Sequence, residues 1–512
     1  CLHQTITNKM KFITNRSRLE GDSLVSKYNY QHSSAIRTPD DKLQVTIRDE
    51  EFEFRTDMKL PRLGLMMVGL GGNNGTTITG GILANKHNIT WTDKKGEHSP
   101  NFLGSITQSS TMKVACTEDA EIYAKMCEVV PLVNPTDIVI GGWDISRVNL
   151  ADAMKRAEVF DWDLQKKLAP YMEKMVPLPS IYYEDFIAMN QKDRADNILK
   201  SNSKKEDLEV IRKNIREFKA ENNVDKVIVL WTANTERFCQ VIEGVHDTFE
   251  NLMAALESNH KEISASTVFA MASLLEDASF INGSPQNTFV PGVLTMKTEA
   301  FMVGNDFKTG QTKFKTNFID FLLSAGIKPK SCISYNHLGN NDGKNLSQES
   351  QFKSKEASKS SCINDLLENS LLYPQSEGID HSVVIKYLKS AGDSKKAIDE
   401  YCSEIFMDGA HTLVTYNVCE DSLLAAGVII DLILLTELFS RLSYRRDIDD
   451  SFRRFDPVLS FLGYLMKAPE VVGPQVNSLS RQRLCIENLF RVLVGLPIED
   501  NLLLNFRLKA RA

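Results

Sequence analysis

The stretch LGLMMVGLGGNNGTTITGG, residues 63–81, sets the tightest limit on what this chain can fold into. An apolar run from Leu63 to Val68 leads straight into glycines at 69, 71, 72 and 75. A buried strand ending in glycines can turn tightly and bring its N–H groups against a pyrophosphate. It can then start a helix whose positive end faces the anion. The G-x-G-x-x-G spacing would need a glycine at 74, where the chain has Asn74. By spacing alone the loop is either a dinucleotide cradle or a glycine-rich turn that looks like one.

The flanking pattern favours the cradle. Strand-like DIVIGGWD (137–144) and DKVIVLWTANT (225–235) alternate with helix-like ADAMKRAEVFDWDLQKKL (151–168) and EDLEVIRKNIREFKAEN (206–222). Strands alternating with helices predict an α/β fold with a doubly wound, mostly parallel sheet, here over residues 61–312. An acidic ribose partner is expected about twenty residues after the loop. Asp93 is nearest but sits in a loop-like TDKKGEH, whereas Asp144 ends a strand and is the better candidate.

Residues 1–60 form a polar N-terminal extension, with alternation in KLQVTIRDEEFEFRT (42–56) that suits paired strands. Residues 313–421 are rich in turns and short β-like runs, and residues 422–512 return to helix. Within the tail, LLAAGVIIDLILLTELFSRL (423–442) is interrupted by Asp431, Glu437 and Arg441, which argues for a buried helix over a membrane span.

A net charge of −7 argues against nucleic acid or an anionic membrane as the main partner. An anionic ligand therefore needs a local basic cluster. The nine cysteines include no C-x-x-C pair, which argues against a zinc ribbon or disulfide scaffold and for reduced thiols in a cytoplasmic setting. No metal site is expected. The first twenty residues lack the apolar core of a signal peptide.

Other segments carry possible chemistry beside a plainer reading. Thr309, Gly310, Gln311, Thr312 and Lys313 could wrap a phosphate through N–H groups and hydroxyls, or form a solvated turn before a helix. Lys355 and Lys359 are four apart, on one face if helical, and such a face is usually solvated. The polar run QESQFKSKEASKSS that contains them could be a mobile loop. Asp393, Ser394 and Lys395 read as a turn into a helix, with Asp393 a possible cap. If Lys355, Lys359 and Lys395 converge, each lowers the others' pKa and brings an amine towards general-base use. NHLGNNDG (336–343) is a turn or a set of donors and acceptors for a polyhydroxylated ligand, and Asp421 and Ser422 precede the buried helix as N-cap candidates.

Together these segments resemble the myo-inositol-phosphate synthase family, eukaryotic type. The resemblance is carried by GLGGNNG, IVLWTANTER, INGSPQNTFVPG, TGQTK, SYNHLGNNDGKNLS, FKSKEASKSS, GDSKKAIDEY and NVCEDSLLA, in the family's order from about residue 60 onward. The family's own nucleotide loop is G-x-G-G-N-N-G, which accounts for the glycine spacing. The resemblance implies a Rossmann-like NAD-binding domain interrupted by an α+β catalytic and tetramerisation domain. It implies a cytoplasmic homotetramer that turns D-glucose 6-phosphate into inositol phosphate. Oxidation at C5 acidifies the C6 proton, an enolate closes the ring on C1, and C5 is reduced again. An NAD-dependent sugar-phosphate dehydrogenase with net oxidation is the alternative.

Carried over by resemblance, the NAD contacts are Gly71, Gly72, Asn73, Asn74, Asp144, Ser180, Gln191, Arg194, Thr232, Ala233, Asn234, Thr235, Gly283 and Ser284. They continue with Asp306, Thr309, Asn340, Asn341, Asp342, Lys355, Asp393, Ser394, Asp421 and Ser422. The catalytic set is Lys355, Lys359, Lys395, Asp421 and Asp306, and the substrate phosphate falls to Thr309, Gly310, Gln311, Thr312 and Lys359. One departure is Arg481, assigned to the position of a family lysine, which keeps the charge but does not readily give up a proton.

Overall fold

The structure, a computed structural model, describes residues 14–367, 370–374, 377–476 and 478–508. Strands β1 (Ser17–Glu20), β2 (Ser23–Arg37) and β3 (Leu43–Asp57) pair antiparallel, as the alternation in 42–56 anticipates. Leu442–Arg446, from the far end of the chain, completes this sheet against β3. The join is held by Glu53, which accepts from Arg445 Nε at 2.7 Å and Arg18 Nη2 at 3.1 Å.

The second sheet is wholly parallel. Its strands are β4 (Leu63–Val68), β5 (Val139–Asp144), β6 (Leu178–Pro179), β7 (Lys226–Trp231), β8 (Ser279–Asn282) and β9 (Met302–Val303), in the order β6-β5-β4-β7-β8-β9. Every residue of β4 is buried, as in a strand covered on both faces. The chain runs outward from β4 through β5 and β6, then returns to β4's other side with β7. That reversal opens a crevice at the carboxyl ends of β4 and β7. The crossovers include α1 (Asn73–His87), α2 (Leu150–Ala157), α3 (Trp162–Met172) and α4 (Lys204–Glu221). The segment read as one helix over 151–168 is two, because Glu158 turns left-handed at φ 51° and stops α2.

A third sheet follows α5 (Gly310–Ser324). It comprises β10 (Lys328–Leu338), β11 (Asp380–Tyr387), β12 (Ser394–Ile405) and β13 (Gly409–Glu420), in the order β11-β10-β12-β13. Helices α6 (Asn341–Asn345) and α7 (Glu349–Leu367) lie between β10 and β11, and α5 packs on α7. Two expectations fail here. The polar run considered a mobile loop lies almost entirely in α7, with Gln351, Ser354, Ser358 and Lys359 buried inside the protein. The segment at Asp393 enters a strand, not a helix, and buries alternate residues Ala397, Asp399, Tyr401 and Ser403.

The tail returns to the nucleotide-binding sheet. Helix α8 (Asp421–Phe439) packs against α1 and is buried from Gly427 to Phe439. Its charges are matched: Asp431 accepts from Ser105 Oγ at 2.6 Å and from the amides of Ile106 and Thr107. Glu437 pairs with Arg441 at 2.7 Å. Leu442–Arg446 becomes β14, and α9 (Leu479–Leu493) closes the chain's last long turn of helix.

Candidate active site

The glycine loop leaves β4 into the crevice. Gly69 has φ +89°, and a Cβ there would lie 2.7 Å from Ala233 Cα, so only glycine fits. A Cβ on Gly75 would lie 2.2 Å from the Leu70 carbonyl oxygen. Helix α1 starts at Asn73, and its N-cap Gly72 has no capping side chain. No side chain takes up the amides of the first turn, an arrangement suited to receiving an anion.

Asn74, which breaks the usual spacing, and its neighbour Asn73 have partners that glycine could not bind. Asn74 Nδ2 donates to Thr232 Oγ1 at 3.0 Å, joining the ends of β4 and β7. Asn73 Nδ2 donates to Asp393 Oδ1 at 3.2 Å, joining the cradle to the third sheet. Asp144, at the end of β5, accepts from the Gly71 and Ser146 amides, each at 2.9 Å, and lines the crevice. Asp93 instead pairs with His98 at 2.8 Å and is not among the residues lining the cleft.

The cleft is lined by Gly72, Asn73, Asn74, Asp144, Ser180, Arg194, the run Thr232 to Thr235, Gly283 and Ser284. Beyond these come Asp306, Thr309, Asn340, Asn341, Asp342, Lys355, Lys395, Asp421 and Ser422. Gly71 and Gln191 stand just behind the wall, Gln191 accepting from Asn341 Nδ2 at 2.8 Å. Asp342 accepts from the Thr235 amide at 2.9 Å, and Asp393 accepts from the Ser422 amide at 2.9 Å. Ser394 opens β12 next to Lys395 without lining the cleft. Arg156, absent from the sequence reading, donates to the Gly71 carbonyl at 2.5 Å and lines the cleft.

At the far end of the cleft lies a cluster of lysines and aspartates. Buried Asp306, at φ 61°, accepts from Lys355 Nζ at 2.9 Å, Ser358 Oγ at 2.7 Å and Lys467 Nζ at 3.1 Å. Burial would raise its carboxyl, but Lys355 and Lys467 outweigh that and hold it well below the usual range. Lys355 is held above its ordinary value: burial opposes this, and Asp306 and Asp342 prevail. Lys395 pairs with Asp421 at 3.4 Å. Asp421 is lowered because Lys395 and Lys467 overcome its burial. Lys359 is pushed well below its ordinary value by burial, then by Lys395 and Lys315.

Lys359 Nζ donates to Gln311 Oε1 at 3.4 Å, and Gln311 Nε2 in turn donates to Asp399 at 2.7 Å. Gly310, Gln311 and Thr312 form the first turn of α5, whose N-cap Thr309 offers no side-chain cap. This is a second uncapped helix start, placed below the lysines.

Lys467 was missed by sequence reasoning, which assigned the remaining lysine's place to Arg481. Arg481 is exposed on α9 and outside the cleft. Lys467 is buried, and burial, then Lys355 and Lys395, lower it to about 8 against the pull of Asp306. Its only sequence signal is a lone lysine in the apolar run PVLSFLGYLMKAP.

The glycine cradle, the uncapped α1 start and the strand-end acid fit a nicotinamide dinucleotide laid across the switch point. The fold and cleft thus define a dinucleotide-binding enzyme whose reacting end opens on lysines and aspartates. The family model for myo-inositol-1-phosphate synthase, NAD-binding, matches residues 63–491. An inositol-3-phosphate synthase of Dictyostelium discoideum is 52% identical over 493 residues, covering 95% of this chain and 96% of its own. One from Xenopus laevis, inositol-3-phosphate synthase 1-B, is 53% identical over 464 residues, 90% of this chain and 82% of its own. The crystal structure of inositol-3-phosphate synthase from Caenorhabditis elegans superposes with TM-score 0.94 at 46% identity, covering 98% of this chain and all of that one. The chain belongs to the myo-inositol-1-phosphate synthase family, and its cofactor is NAD.

Proposed function

We propose that this chain converts D-glucose 6-phosphate to 1D-myo-inositol 3-phosphate with no net oxidation. Bound NAD supplies reversible hydride transfer at C5. The first turn of α1 holds its pyrophosphate, and Asp144 holds a ribose. The Thr309–Thr312 turn and Lys359 seat the sugar phosphate. Lys355, ion-paired to Asp306, holds the proton at the C5 oxygen. Lys467, near neutrality at about 8, exchanges the C6 proton once C5 is a ketone. Lys395, beside Asp421, stabilises the C1 oxygen as the ring closes. Helices α6 and α7 shield the site, tied down by Asn345 donating to Thr235 O at 2.8 Å and Ser354 to Glu236 O at 2.9 Å.

The observation that carries this reading is the meeting of Lys355, Lys395 and Lys467 with Asp306 and Asp421 at one end of the nucleotide cleft, with Lys359 buried outside its lining. Hydride transfer alone needs a single acid–base group. Incubation with glucose 6-phosphate and substoichiometric NAD⁺ tests it. Inositol phosphate should accumulate beyond the cofactor supply with no standing NADH. Stoichiometric NADH would instead mean a dehydrogenase.

The enzyme works as a homotetramer in the cytoplasm. The outer face of the third sheet supports assembly, since Tyr335, Ile398 and Tyr416 form one exposed apolar row across three strands. Eight described cysteines are free thiols, in keeping with a reducing compartment. Light scattering that reports a monomer would reject the assembly.

A further inference from the structure

Beneath the Thr309–Thr312 turn a second lysine lies behind Lys359. Lys315 is four residues after Gln311 on α5, so both side chains leave the same helix face, and both are buried. Lys315 Nζ lies 3.2 Å from Nε2 of His381, on the edge strand β11. His381 is pushed down to about 4 by burial, then by Lys315 and Lys359. The imidazole is therefore neutral at physiological pH. With an ammonium donating to Nε2, its own proton belongs on Nδ1.

The partners of the cluster fall into two groups. Lys355, Lys395 and Lys467 each contact a carboxylate. Lys359 contacts a carboxamide and Lys315 an imidazole, with no carboxylate within ion-pair distance of either among the described residues. A carboxylate would orient Lys315 and also cancel its charge. A neutral imidazole orients it and leaves the charge intact. Two buried lysines side by side with no carboxylate partner form a set that an anion completes, and an anion would also restore the Lys359 proton that burial disfavours. Lys359, on α7, contacts Gln311 in the first turn of α5, and Lys315 sits one turn further along α5, whose first-turn amides already favour an anion.

We propose that Lys315, held in place by His381, is a second cation of the subsite for the substrate's phosphate. It sets affinity for the phosphate dianion from behind the turn and takes no part in the proton transfers. The inference rests on the reading that the Thr309–Thr312 turn seats that phosphate.

Inorganic phosphate is the probe, used as a competitor of glucose 6-phosphate with the NAD-loaded enzyme. Lys315→Met should raise the phosphate inhibition constant and the KM for glucose 6-phosphate together, each about tenfold, and more than it lowers kcat. Lys315→Arg should recover most of this. His381→Leu should reproduce part of the rise without removing a charge, and His381→Gln, which keeps an acceptor, should reverse it. The His381 pair decides the matter if Lys315→Met does not fold. An unchanged inhibition constant in both Lys315→Met and His381→Leu overturns the role of the pair while leaving the turn's assignment standing. Failure of phosphate to compete in the unsubstituted enzyme overturns the turn's assignment and this inference with it.

Discussion

Asp306→Asn is the sharpest perturbation of the cluster, because one carboxylate serves two buried lysines and a serine. Asparagine keeps the volume but offers one acceptor oxygen, and its amide hydrogens turn towards an ammonium. Removing one partner of a buried ion pair typically costs about 3–5 kcal/mol. If that loss falls on the reacting state, kcat drops about a hundred- to several thousandfold, at 1.4 kcal/mol per decade. The sign of the pH effect follows from the shifts. The carboxyl of Asp306 is depressed in the folded state, so its stabilisation is complete above the unfolded value of about 3.9 and is lost only on acidification below it. Between pH 5 and 8 its own contribution is flat, and what moves is Lys467. Asp306 supports the protonated form of that lysine, so in the variant Lys467 gives up its proton at lower pH than about 8. The assay is inositol phosphate formed at saturating glucose 6-phosphate from pH 6 to 9, beside NAD affinity measured calorimetrically. The rising limb of the pH profile should move to lower pH, and the calorimetry separates this from any loss of bound NAD. Turnover within threefold of the unsubstituted enzyme and an unmoved limb would refute the reasoning.

Lys467→Met should lower turnover by about a hundredfold or more while calorimetry still finds NAD bound, since the lysine meets Asp306 and not the glycine cradle. Gly75→Ala should abolish NAD binding or folding, because its methyl would stand 2.2 Å from the Leu70 carbonyl oxygen; a soluble variant with ordinary NAD affinity would contradict this. Glu236, buried beneath α7 and accepting from Ser266 Oγ at 2.5 Å, is raised to about 7, chiefly by burial. The folded state thus holds a proton that the unfolded chain releases near 4.5, so this group's contribution to stability falls as pH rises from about 4.5 to 7. Thermal melts across that range should show the decline in the native protein and a flatter curve in Glu236→Gln.

The parallel sheet was legible because strands buried on both faces are written as unbroken apolar runs, as in Leu63–Val68 and Val227–Trp231. The cradle was legible as a turn, while the roles of Asn73 and Asn74 were not, since each bonds a residue far off in sequence. Helix α7 defied its composition: Gln351, Ser354, Lys355, Ser358 and Lys359 are polar because they make buried hydrogen bonds, a pattern local propensity reads as solvated loop. Lys467 was invisible for the opposite reason. A single charge in an apolar run carries no spacing, and only the fold reveals that it meets Asp306.

The first sheet carries a cost in time. Glu53 and Arg445, which fasten β3 to β14, stand 392 residues apart. At about 5–20 residues per second of synthesis, roughly 20 to 80 s separate the emergence of the amino-terminal hairpin from that of the strand that completes it. A two-stranded ribbon is marginal alone, and β3 waits through that interval with an open edge. The nascent chain is therefore more exposed to chaperones, or to strand pairing with a neighbouring polysome product, at the β2–β3 hairpin than at its catalytic centre.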